Sequence, residues 1–111
     1  GHTPAHSIEK LSNYEISHGS AVSMGIALIA RAAAAFGYCP EDEAEDICEI
    51  LRFHCLPTEC EYNATQLAEA ALSDKKRSGD KINLIIPFGI GNSRIHEIDV
   101  RDLEAFFAKG L

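Results

Sequence analysis

The chain has 111 residues, which is enough for one domain with a single apolar core and too few for a second independent domain. Its 46% hydrophobic and 24% charged residues are typical of a globular protein and do not indicate a disordered chain or a coiled coil. Ten basic and seventeen acidic residues give a net charge of −7, which argues against a nucleic acid as partner and requires that an anionic ligand be bound locally.

The first long element is predicted over residues 19–36, where nearly every side chain is small or apolar. Gly37 follows at the position where a glycine commonly ends a helix. The run is rich in alanine and contains Arg31, so a transmembrane helix is a weaker interpretation than a buried helix of a soluble protein. We therefore expect no association with a membrane.

A second long helix is predicted after Gly37. Pro40 is suited to a first helical position, and the acidic residues 41–43 complement the positive end of the helix dipole. An apolar stripe then continues to His54. Cys48 and Cys55 lie seven residues apart on this segment, a spacing that favours core positions over metal ligands.

The remaining segments predict two shorter helices separated by a β-hairpin. Asn63, with a glutamine three residues later, resembles a capping signal for a helix that ends near Leu72. Residues 82–87 and 93–98, separated by glycines, are typical of paired strands, and Asp99 is suited to cap the last helix. The predicted fold is mainly α, one helical domain over residues 1–111 with a small β-hairpin near the C-terminus.

Four cysteines are present, but none forms a CxxC pair and no signal peptide precedes them. We therefore expect reduced thiols in a cytoplasmic protein.

Three histidines near the start of the chain are candidate metal ligands. His2 and His6 project from one face if residues 3–11 are helical, and a short connection through Ser12 and Asn13 can bring His18 beside them. Neutral imidazole is a good zinc ligand, and a catalytic zinc usually takes three protein ligands. The spacing is weakly specific, however, and such pairs are more often surface or capping residues.

A basic run at residues 75–77 follows the predicted helix that ends near Leu72. Lys75, Lys76 and Arg77 concentrate three cations in an otherwise acidic sequence, directly after a predicted helix whose C-terminal end favours positive charge. The charge pattern alone favours a solvated helix end over an anion-binding site.

Residues 1–9, GHTPAHSIE, and residues 18–25, HGSAVSMG, resemble the motifs GHTxGHxxE and HGxAVxxG of the 3-dehydroquinate synthase family. The similarity continues through Gly37, residues 56–58, residues 74–76 with Gly79, and residues 90–91, so it spans nearly the whole chain. Two positions depart from the pattern. Ala5 replaces a glycine, and Ser20 stands where many members have glutamate or histidine, a change expected to alter the hydrogen bonding that orients His18.

The resemblance implies that His2 and His18 are zinc ligands and that His6 contacts substrate. The family's third zinc ligand is a glutamate far upstream, and its NAD is held by an N-terminal Rossmann-like domain; neither is in this sequence. The resemblance therefore implies that residues 1–111 are part of the C-terminal domain of a larger two-domain enzyme, expected to be a homodimer when complete and inactive as this fragment.

The family converts 3-deoxy-arabino-heptulosonate 7-phosphate to 3-dehydroquinate and phosphate in the shikimate pathway, using NAD and zinc or cobalt. The resemblance implies that Lys75 or Lys76 contacts the anionic groups of the sugar phosphate, and the sequence does not show which of the two lysines does so. Two alternatives stay open. One is a related sugar phosphate cyclase or metal-dependent alcohol dehydrogenase with the same two-domain plan, and the other is a non-catalytic helical interaction module.

Overall fold

The computed structural model of the chain describes residues 2–74 and 81–111, without the side chains of His2, Ser73 and Asp74. The described part contains five helices and a two-stranded antiparallel sheet. In chain order these are α1 (His2–Leu11), α2 (His18–Ala35), α3 (Glu41–Phe53), α4 (Ala64–Asp74), β1 (Lys81–Gly89), β2 (Asn92–Asp99) and α5 (Val100–Gly110). The prediction of a mainly helical fold with a small hairpin is confirmed.

Helix α2 is the centre of the fold and packs against α1, α3, α5 and β1. Five of its seven alanines are fully buried, which lets the neighbouring helices approach closely. Gly37, at φ +80°, ends the helix as predicted: its N–H donates to the carbonyl of Ala34, and the N–H of Tyr38 donates to that of Ala33. Among residues 2–74 and 81–111, no helix has the length and apolar character needed to cross a bilayer.

Arg31 interrupts the apolar run of α2 because it joins three parts of the fold. Its Nε donates to the carbonyl of Gly110 at 2.7 Å, and Nη2 donates to the carbonyl of Thr58 at 2.9 Å. Gly110 lies so close to α2 that a Cβ there would overlap the carbonyl of Leu28. The end of α5 therefore rests directly on the backbone of α2.

Helix α3 forms where it was predicted, with two differences. Pro40 is the residue before the helix, and Glu41 is the first helical residue. The apolar stripe is buried at Ala44, but Ile50, a later residue of the same stripe, is 55% exposed. The stripe correctly predicts a helix, but it overestimates how much of the apolar face of that helix is buried.

The prediction that both cysteines of α3 fill the core is right for Cys48 and wrong for Cys55. Cys48 is buried, whereas Cys55 is exposed. The helix ends at Phe53, and Cys55 lies beyond it with a left-handed φ of +59°. The helical spacing therefore does not extend to Cys55, because the backbone has already left the helix.

Cys55 is expected to be alkylated by iodoacetamide before the other three cysteines. The thiolate is the reactive species, and burial raises the pKa of the Cys39 and Cys60 thiols, while Cys48 is shielded. Peptide mass spectrometry after a short exposure measures the order of labelling. Cys55→Ser serves as the control and removes the fastest-labelled site; labelling of Cys39 or Cys48 at the same rate as Cys55 contradicts the burial described here.

The later elements are set by local signals that the sequence carries. The backbone N–H of Asn63 donates to Gln66 Oε1 at 3.0 Å, and the N–H of Gln66 donates to Asn63 Oδ1 at 2.8 Å, which is a reciprocal capping box at the start of α4. The two strands form where they were predicted, and alternate residues of the first part of β1 face the core. Asp99 caps α5 by accepting from the N–H of Arg101 at 3.1 Å.

The core joins these elements into one unit. Its largest fully buried apolar side chains come from α1, α2, α4, β1 and α5: Ile8, Leu28, Leu67, Leu84, Ile86, Leu103, Phe106 and Phe107. The first helix is fixed from its inner face, because Ser7 Oγ donates to the carbonyl of Leu67 at 3.0 Å. The outer face of α1 is thereby held in a defined position.

Candidate functional site

A shallow cleft lies where α1 meets the start of α2. It is lined by His6, Glu9, Tyr14 and His18 and has a volume of about 340 Å³. His6 and Glu9 are three residues apart on α1, so they project from the same face of that helix. The opposite face of α1 is buried in the core, so the cleft residues stand on a rigid support.

The loop between α1 and α2 brings His18 back to α1. The N–H of Tyr14 donates to the carbonyl of Glu9 at 2.7 Å, and Ser12 Oγ donates to the same carbonyl at 3.1 Å. Asn13 and Tyr14 both adopt left-handed φ values, 55° and 63°. Asparagine tolerates this conformation, whereas for tyrosine it is uncommon and costs energy. The predicted short connection through Ser12 and Asn13 is therefore present.

Glu9 and His18 form the central polar contact of the cleft. Glu9 Oε1 lies 3.1 Å from His18 Nδ1. The side chain of Glu9 is 15% exposed and that of His18 is 59% exposed, so the carboxylate is the more enclosed partner. His18 is the first residue of α2, and Ser17 before it caps the helix by accepting from the N–H of Ser20 at 3.3 Å. The cap fixes the backbone from which the imidazole projects.

The structure places the predicted site residues as follows. His6 and His18 line one cleft, as the histidine argument expected. His2 begins α1, which gives it the predicted four-residue helical spacing from His6, but its side chain is not described. Lys75 and Lys76 lie outside the described residues. Among the side chains that are described, no three His, Cys, Asp or Glu residues come together as a set of metal ligands.

Two cleft residues had no role in the sequence-based prediction. Glu9 was part of the quoted motif, and its position three residues after His6 on the same helix was a usable signal. Tyr14 carried no such signal, because its place in the cleft depends on the conformation of the loop. The departure at Ala5 is accommodated, since that methyl group is fully buried in the core rather than in the cleft.

The comparison with protein families decides what this chain is related to. The family model described as 3-dehydroquinate synthase C-terminal matches residues 1–77. This chain belongs to the 3-dehydroquinate synthase family. The matched region contains both histidine motifs and therefore the whole cleft.

Individual 3-dehydroquinate synthases match over most of the chain. The enzyme of Streptococcus gordonii is 32% identical over 98% of this chain, and that of Thermococcus kodakarensis is 37% identical over 89% of it. The chain spans 31% and 28% of the lengths of these two relatives. It thus corresponds to about a third of a 3-dehydroquinate synthase.

The fold is also shared with a solved structure. A crystal structure of 2-deoxy-scyllo-inosose synthase complexed with carbaglucose-6-phosphate, NAD+ and Co2+ superposes with a TM-score of 0.77, covering 99% of this chain and 32% of that one. The sequence identity is 19%, so this likeness establishes the fold alone. It confirms that the helices and the hairpin of this chain form an arrangement that is also found in that enzyme.

Proposed function

We propose that this chain is the metal- and substrate-binding part of a 3-dehydroquinate synthase that converts 3-deoxy-arabino-heptulosonate 7-phosphate to 3-dehydroquinate and phosphate. The observation that carries the proposal is the cleft in which His6 and His18, one from each family motif, lie together with Glu9. Membership of the family and the names of its relatives support it.

The donor chemistry of the cleft fits a zinc or cobalt ion. His18 offers an imidazole whose Nδ1 contacts a carboxylate, which is the arrangement that metal-bound histidines commonly show. His2 and His18 would be two ligands, and a glutamate from the upstream part of the enzyme would be the third. A bound zinc supplies Lewis-acid chemistry at a substrate hydroxyl. The structurally related enzyme contains Co2+ and NAD+, which supports this cofactor assignment.

Substrate binding is assigned to His6 of the cleft and, separately, to one of the two lysines at positions 75 and 76. His6 lines the same cleft as His18, and an imidazole can donate or accept a hydrogen bond at a substrate hydroxyl or carry a proton there. Lys75 or Lys76 binds the carboxylate or the phosphate of the substrate as a mobile point charge. The net charge of −7 makes such a local cation necessary for an anionic substrate.

The complete enzyme is proposed to have a second domain. In this proposal residues 1–111 belong to a C-terminal domain, and an N-terminal Rossmann-like domain holds NAD, which performs the redox chemistry. The short span of this chain relative to its relatives supports the proposal. The enzyme would act in the cytoplasm as a homodimer, and this fragment alone would be inactive.

The test is an activity assay of a longer protein in which the upstream domain of the parent enzyme precedes this chain. We expect phosphate release from 3-deoxy-arabino-heptulosonate 7-phosphate that requires both NAD and zinc, and one tightly bound zinc per chain. The 111-residue chain alone should bind zinc weakly, since it holds two of three ligands, and a tight site in a calorimetric titration of that chain would contradict the ligand set.

The same assay separates the alternatives. Turnover of a hexose 6-phosphate, with no turnover of the heptulosonate, would indicate a related sugar phosphate cyclase such as the one with which this fold is shared. Absence of both turnover and stoichiometric zinc would indicate a non-catalytic module.

A further inference from the structure

We propose that Glu9 is a positioning residue that holds His18 in the tautomer with the proton on Nδ1, so that Nε2 presents its lone pair to a divalent cation. The inference rests on the proposed function for the cation and goes beyond it by assigning a role to a carboxylate outside the ligand set. It concerns the state of the imidazole before any metal binds.

The atoms in contact determine the direction of the hydrogen bond. An ionised carboxylate is only an acceptor, so Glu9 Oε1 at 3.1 Å from His18 Nδ1 requires a proton on Nδ1. In neutral imidazole the proton is on one nitrogen only, so Nε2 then carries a lone pair. That lone pair lies on the far edge of the ring from Glu9, and it is the one that a cation would take up.

Both partners of this contact are held in place by the fold. The carbonyl of Glu9 accepts hydrogen bonds from the N–H of Tyr14 and from Ser12 Oγ. The loop therefore fixes the backbone of the residue whose carboxylate contacts His18. His18 is fixed at the start of α2 by the Ser17 cap. An enclosed carboxylate at 15% exposure, facing a more exposed imidazole, is therefore a built-in orienter rather than a chance surface pair.

The sequence-based hypothesis was that Ser20, two residues after His18 on α2, alters the hydrogen bonding that orients His18, and this stays a prediction. The structure adds a partner for His18 Nδ1 on the neighbouring helix α1. Carboxylates in this position also make the imidazole a stronger ligand, and their loss typically lowers metal affinity about 10- to 100-fold.

The tautomer can be read directly in the metal-free chain by long-range ¹H–¹⁵N NMR of the histidine rings, at about pH 8, above the usual imidazole pKa. We expect the Nδ1–H form at His18. Glu9→Ala should shift His18 toward the Nε2–H form that an unconstrained side chain favours in water. Glu9→Gln should retain the Nδ1–H form, because its amide oxygen still accepts.

Metal affinity is measured on the same proteins by titration with Co2+. Glu9→Ala should weaken Co2+ binding about 10- to 100-fold, and Glu9→Gln should weaken it less. Glu49→Gln, on the exposed face of α3, removes one negative charge far along the sequence and serves as the matched control. It should change neither the tautomer nor the affinity.

The proposal is overturned if His18 of the unmodified chain carries its proton on Nε2, a result that does not depend on whether any variant folds. It is equally overturned if folded Glu9→Ala keeps the Nδ1–H form. An unmodified chain with the Nδ1–H form, lost in Glu9→Ala, but with no Co2+ binding even when the upstream domain is present, supports the role of Glu9 and contradicts the proposed function. The two failures are therefore distinguishable.

Discussion

His18→Ala in the complete enzyme is expected to abolish zinc retention and to reduce turnover to background. The substitution removes a proposed ligand and the partner of Glu9 in one step. Losing an outer-shell partner alone costs about 10- to 100-fold in metal affinity, so losing a direct ligand should cost more. Zinc content after dialysis and phosphate release from the heptulosonate substrate measure the two effects on the same preparation.

The matched control for this experiment is His54→Ala. His54 is also an exposed histidine, but it follows the end of α3 and is not one of the residues that line the cleft. We expect that variant to retain both zinc and activity. Full turnover by a His18→Ala enzyme that still retains its zinc is incompatible with the proposed ligand set.

Arg31→Met is expected to lower the free energy of unfolding by about 3 kcal/mol, given that a hydrogen bond to a charged group contributes roughly 1.5–3 kcal/mol. Methionine keeps much of the apolar stem but cannot donate to the carbonyls of Gly110 and Thr58. Arg31 is 26% exposed, so water replaces part of the loss and the effect stays below the sum of two such bonds. Urea unfolding measures this change in the free energy of unfolding, and the m-value should stay unchanged.

Arg101→Met provides the comparison for Arg31. Arg101 also pairs with a carboxylate, Asp99, but its side chain is 85% exposed. Exposed ion pairs contribute about 0–1 kcal/mol, so this variant should change stability by less than that. If both variants lose the same amount, or Arg31→Met loses less than about 1 kcal/mol, the role given to Arg31 in joining α2, α5 and Thr58 is wrong.

The secondary structure was predictable where a signal is local. The capping box at Asn63, the glycine at the end of α2 and the Asp99 cap each act within a few residues, so the sequence shows both partners together. The sequence-based predictions were wrong at the end of one helix and in how much of its apolar face is buried. Cys55 follows the end of α3, and Ile50 of the predicted apolar stripe is 55% exposed, because periodicity indicates a face but not what packs on it.

The sequence by itself determined the family, the helical fold with its hairpin, and the candidate histidines. Sequence motifs, helix caps and hydrophobic periodicity are all short-range properties of the chain. The tertiary structure decided which groups meet. It placed Glu9 against His18 through a left-handed loop, and it joined Arg31 to the carbonyl of Gly110, 79 residues away. Such contacts depend on how the packed helices lie against one another, so they cannot be predicted from the spacing of residues in the sequence.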